Sequence, residues 1–121
     1  MKISVSCAQL LPKLGDRAAN LEKMSAYVEQ IMAEKPGTNL IVFPELMTSG
    51  YEGTPEMFQE LAETLPNGES MQVMGALAKK HHVHIIYGLP ERDPVLTDVL
   101  YNAAVLINSD GIAVGTYRKV H

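Results

Sequence analysis

The chain has 121 residues, 46% of them apolar and 20% charged, with a formal net charge of −4, the balance expected of one globular domain with a core of its own. No basic run marks a nucleic-acid footprint, and no stretch approaches the roughly 20 apolar residues that span a bilayer. One cysteine, Cys7, cannot close an internal disulfide, and Met1 to Gln9 lack the apolar run of a secretory signal, so a cytoplasmic protein without nucleic-acid or membrane partners is expected.

Ile3, Val5 and Cys7 alternate with Lys2, Ser4 and Ser6, the period of a strand with one buried face. Cys7 then falls on the buried set, where a thiol is a poor nucleophile. After a loop with Pro12 and Gly15, Asp16 is placed to cap a helix reaching about Lys35. Leu21, Met24, Val28 and Ile31 form its apolar stripe, and Pro36-Gly37 stops it. Leu40 to Phe43 is a short, wholly apolar run of the kind found in strands covered on both faces. A loop with Ser49, Gly50 and Gly53 leads to a short helix over Pro55 to Thr64. Pro66-Asn67-Gly68 turns the chain into a longer helix over Ser70 to His82, with Ser70 as its expected cap.

Val83 to Leu89 reads as a strand closed by Pro90. Leu100 to Ile107 and Ile112 to Tyr117 flank a turn at Asn108-Ser109-Asp110-Gly111, the pattern of an antiparallel hairpin. Pairing Ile107 with Ile112 sets Asn102 opposite Tyr117, and gathers Tyr101, Asn102, Arg118 and Lys119 at the far end. The order β-α-β-α-α-β-β-β is that of an α/β fold. No internal repeat, low-complexity segment or linker interrupts it.

Two residues end apolar strands as catalytic groups do. Glu45 follows Leu40–Phe43, separated only by Pro44, and strand ends are where ligand sites of open α/β sheets lie. Among Phe43, Leu46 and Met47, its carboxyl is expected to be partly desolvated and raised towards the range of a general base. Lys119 ends the last strand, where an ammonium can support an oxyanion. Taken singly, each reads more readily as a solvated charge than as a catalytic group. His81, His82 and His84 match no zinc spacing. Ser49 and Ser109 lack the turn of a serine nucleophile, and no phosphate-binding glycine loop is present, which argues against a nucleotide-binding domain.

The ordered combination is more specific. Residues 41–51, IVFPELMTSGY, resemble the first signature of the nitrilase superfamily of carbon–nitrogen hydrolases, and 117–121, YRKVH, its second. Between them Tyr87-Gly88 and Tyr101-Asn102-Ala103-Ala104 resemble that family's intermediate strands, with Ala103 where Ser or Thr is common. The opening Ala8-Gln9 fits as well. The resemblance implies a four-layer α-β-β-α sandwich, of which residues 1–121 would form the N-terminal half. It implies a Glu-Lys-Cys triad acting on small amides or nitriles, with Glu45 as general base, Lys119 as oxyanion support and Tyr51 beside the substrate.

The family's nucleophilic Cys lies further along, after the Lys, so residues 1–121 alone are expected to be inactive. No metal or organic cofactor is implied, and a homo-oligomer is expected. A short non-catalytic relative serving as a binding or assembly subunit is the alternative. A half-built sandwich would expose apolar surface, so self-association or marginal stability is expected of the isolated chain.

Overall fold

A computed structural model describes residues 1–120. The elements run β1 (Val5–Cys7), α1 (Arg17–Glu34), β2 (Leu40–Val42), α2 (Pro55–Leu61), α3 (Glu69–His81), β3 (His84–Arg92), β4 (Leu100–Ile107) and β5 (Ala113–Arg118), in the predicted order. One five-stranded sheet has the order β1-β2-β3-β4-β5. The first three strands are parallel and the last three antiparallel.

Helix α1 starts where its cap predicts, the Asp16 carboxylate accepting from the Ala19 N–H at 3.0 Å. Its stripe of Leu21, Met24 and Val28 is buried, and Ile31 is partly buried against the same core. With Met74 and Ala78 of α3, it covers a sheet face made by Ile41, Ile85, Tyr87, Leu89, Val105 and Ile107, all 0% exposed. Burying such side chains contributes about 1.5–3 kcal/mol each and makes this helix-on-sheet contact the core.

The other sheet face has no layer over it among the described residues, and this corrects the reading of β1. Ser6, level with Ile41, is the residue facing the helices, and its hydroxyl shares a hydrogen bond with Thr38. Val5 and Cys7 point to the uncovered side, where Cys7 is exposed. The alternation is real, but its apolar phase belongs to the open face. One α layer on one sheet is half of the four-layer arrangement.

Further corrections concern ends and registers. Ser70 is not the cap of α3. The residue before the helix is Gly68, without a side-chain cap bond, and the Ser70 N–H is accepted by the buried Glu63 carboxylate at 2.8 Å. The Ser70 hydroxyl instead shares a 2.7 Å hydrogen bond with that of Tyr87. Helix α2 ends at Leu61 rather than Thr64, because Glu63 is drawn beside β3: its N–H donates to Pro90 O at 3.0 Å and its carbonyl accepts from Arg92 N at 2.8 Å. Strand β3 passes through Pro90 to Arg92, since Pro90 needs only to offer its carbonyl there. In the hairpin Ile107 pairs with Ala113, and a bulge then sets Leu106 against Gly115. The turn is one residue longer than the pattern suggested, with Gly111 at φ +81°. At the turn Ala113 replaces Ile112 opposite Ile107, and beyond the bulge the net slip of two keeps Gly115 to Arg118 on their expected faces but brings Asn102 level with Lys119.

Candidate active site

The loop carrying Glu45 is laid across β3. Phe43 N donates to Ile86 O at 2.8 Å, Gly88 N to Pro44 O at 3.2 Å, and Met47 N to Gly88 O at 2.9 Å. This crossing needs glycine at 88: a Cβ there would lie 2.5 Å from Leu46 N and 2.8 Å from Glu45 Cα. Leu46 adopts a left-handed backbone at φ +48°, which turns the chain back after Glu45. The loop is tied behind by Asn20, fully buried on α1. Its amide donates to Thr48 O at 3.1 Å and to Lys13 O at 2.8 Å.

Lys119 leaves the end of β5 with its N–H donated to Asn102 O at 2.8 Å. Its ammonium reaches Glu45 and donates to Oε1 at 3.0 Å. The two residues that the sequence singles out are therefore in direct contact. Tyr51, also exposed, lies close enough to influence both charges. The carboxyl of Glu45 is lowered from its ordinary value, first by the Lys119 hydrogen bond and charge and less by Tyr51 and Asn102, against a raising contribution from burial. Lys119 is raised by Glu45. The expected upward shift of Glu45 is thus reversed, because its side chain keeps 37% of its surface in solvent and a cation sits on it. The pair is a carboxylate facing an ammonium at neutral pH.

A cavity of about 350 Å³ is bounded by Glu45, Lys119, Asn102, Gly88, Ala104 and Tyr117, with Phe43, Pro44, Ile86, Tyr87 and Ala103. A second, of about 340 Å³, shares Asn102 and is walled by Leu46, Phe58, Gln59 and Leu100, but touches neither Glu45 nor Lys119. The first is the candidate site, because it is the one that Glu45 and Lys119 both line.

The remaining reactive residues stand apart. Cys7 is exposed rather than buried, but it lies on β1, two strands from β3 and so about 10 Å from the Gly88 crossing. An attacking atom must come within about 3–3.5 Å of its target. Ser49 is buried and donates to Gly50 O. His81 pairs with Glu29. Among the described residues no three His, Cys, Asp or Glu side chains are placed to hold a metal ion, and no helix is long and apolar enough to cross a membrane. His121, the last residue of the second motif, lies outside the described residues. Glu91 stands in no motif, and the one signal for Asn20 is a polar residue next to the apolar stripe of α1.

Comparison with known proteins agrees with the motifs. The family profile described as carbon-nitrogen hydrolase matches residues 4–121. A probable nitrilase of Schizosaccharomyces pombe is 46% identical over the whole chain. The omega-amidase Nit3 of Saccharomyces cerevisiae is 36% identical over 99% of it. The crystal structure of yeast Nit3 superposes with a TM-score of 0.87 at 32% identity, over 98% of the chain. These three matches take up 44%, 42% and 44% of the respective partner chains, so the chain spans less than half the length of these relatives. By this agreement of profile, relatives and fold, the chain belongs to the carbon-nitrogen hydrolase family of the nitrilase superfamily.

Proposed function

We propose that Glu45 and Lys119 are the base and the oxyanion-stabilising member of a site that hydrolyses small amides or nitriles, and that a nucleophilic cysteine joins them from sequence beyond residue 121. The observation that carries this reading is the 3.0 Å contact between the Lys119 ammonium and Glu45 Oε1, at the mouth of a cavity. Amide hydrolysis needs a base that is ionised at neutral pH and a cation where negative charge develops. The downward shift of Glu45 and the upward shift of Lys119 supply both.

In this scheme a thiol gives its proton to Glu45 and attacks the carbonyl or nitrile carbon. Lys119 stabilises the developing negative charge. With an amide Glu45 passes the proton to the departing amine, whereas a nitrile takes up the proton to become a thioimidate, which water converts to the thioester with loss of ammonia. Water, deprotonated by Glu45, then cleaves the thioester and frees the thiol and a carboxylic acid. Tyr51, beside both charges, would contact the substrate. Omega-amides fit as a substrate class, because yeast Nit3 is an omega-amidase.

The test is to assay the full-length gene product against omega-amides, simple aliphatic amides and nitriles, alongside the 121-residue chain. Release of ammonia by the full-length protein and none by the chain alone is expected. Turnover by residues 1–121 alone would contradict a nucleophile lying beyond them.

A further inference from the structure

The two charged residues of the site are located from one strand. Glu45 is set by the backbone crossing at Gly88 of β3. Lys119 directly follows β5, the sheet edge, whose last ladder pair is Ala103 with Arg118. The end of an edge strand is where a sheet frays first, yet a salt bridge ties this one back to β3. Arg118 Nε donates to Glu91 Oε1 at 2.9 Å and Nη2 to Oε2 at 3.0 Å, a planar two-point contact that fixes direction as well as distance. Glu91 is 4% exposed, and the Arg118 guanidinium lies 4.0 Å over the Tyr101 ring. The Tyr101 hydroxyl donates to Asp93 at 2.7 Å. Successive residues of a strand face opposite sides, so fixing Arg118 on the helix side fixes the backbone from which Lys119 projects towards Glu45.

We infer that Glu91, through Arg118, is a positioning residue that holds Lys119 at its working distance from Glu45, with β3 as the common reference for both. Its catalytic meaning rests on the proposed function; its geometric meaning does not. A buried carboxylate with both oxygens committed to one arginine touches no substrate and acts only through the strand end. Without it, Arg118 loses its anchor, the end of β5 loosens and the ammonium spends less time on Glu45.

The test uses full-length Glu91→Gln and Arg118→Lys proteins beside Glu45→Gln. Misplacing a catalytic group by about 1 Å can cost on the order of 100-fold in rate, so kcat should fall roughly tenfold or more in Glu91→Gln with KM nearly unchanged. The acid limb of the pH–rate profile should move up, because Glu45 loses the cation that lowers it, and the basic limb should move down. Hydrogen exchange at the Lys119 amide should quicken. Arg118→Lys, which keeps the charge but not the fork, should show the same changes to a smaller degree, and serves alone if Glu91→Gln does not fold. A lower melting temperature with kcat, both limbs and Lys119 exchange unchanged would overturn the inference. If Glu45→Gln stays active, the proposed function fails instead; Lys119 exchange still reports on the clamp.

Discussion

Lys119 Nζ and Glu45 Oε1 meet at 3.0 Å across 74 residues of sequence, and both side chains stay more than a third exposed. An exposed pair of this kind contributes only about 0–1 kcal/mol to stability. Lys119→Met should therefore change the unfolding free energy by less than about 1 kcal/mol, measured by urea titration. A loss of several kcal/mol would mean that the contact is structural.

Acid should weaken the β3–β4 loop. Asp93 is held down at about 2, foremost by the Leu96 N–H, then by the Tyr101 hydroxyl and the Val95 N–H. A folded-state value below the unfolded 3.8 means stability that is present above that value and lost as pH falls through about 2. The stability gap between wild type and Asp93→Asn should be steady at neutral pH and close between 3.8 and 2. A gap still open at pH 2, by thermal melts across that range, would contradict this.

Gly88→Ala should disturb the site without touching a charge. The added methyl carbon meets the backbone of Leu46 and Glu45 at 2.5–2.9 Å, and overpacking of this kind costs about 1–3 kcal/mol. A lower melting temperature together with a weakened Glu45–Lys119 contact is expected. The contact is read from the Glu45 titration midpoint by carbon NMR, which should rise towards the ordinary value. An unchanged midpoint would mean that the loop is positioned by something other than this crossing.

The uncovered sheet face makes a prediction for the isolated chain. Val5 is 50% and Tyr117 64% exposed on it, beside Cys7 and the half-buried Val42, Ile86 and Leu106. Sedimentation of residues 1–121 should show self-association that grows with concentration and is reduced by Tyr117→Lys. A compact, concentration-independent monomer would contradict it.

Much of this was legible in the sequence. The cap at Asp16, the stripe of α1, the apolar run before Glu45 and the hairpin follow from local rules, because each is satisfied within a few residues. What was not legible depended on contacts between distant segments. Alternation in β1 could separate two faces but not say which the helices cover, so Cys7 was placed on the wrong one. The protonation of Glu45 was misjudged because its partner is 74 residues away. Local rules make Ser70 the cap of α3, but the bond to the first turn comes from Glu63, outside the helix. Glu91 carried no motif at all; only the fold sets it against Arg118.

The central claim is that Glu45 and Lys119 do chemistry on an amide. Its most direct test is kcat/KM for a small amide with full-length wild-type, Glu45→Gln and Lys119→Met proteins, each checked by its melting temperature. The account predicts losses of at least about 100-fold in both variants with the fold retained. Activity within a few-fold of wild type in either would contradict it.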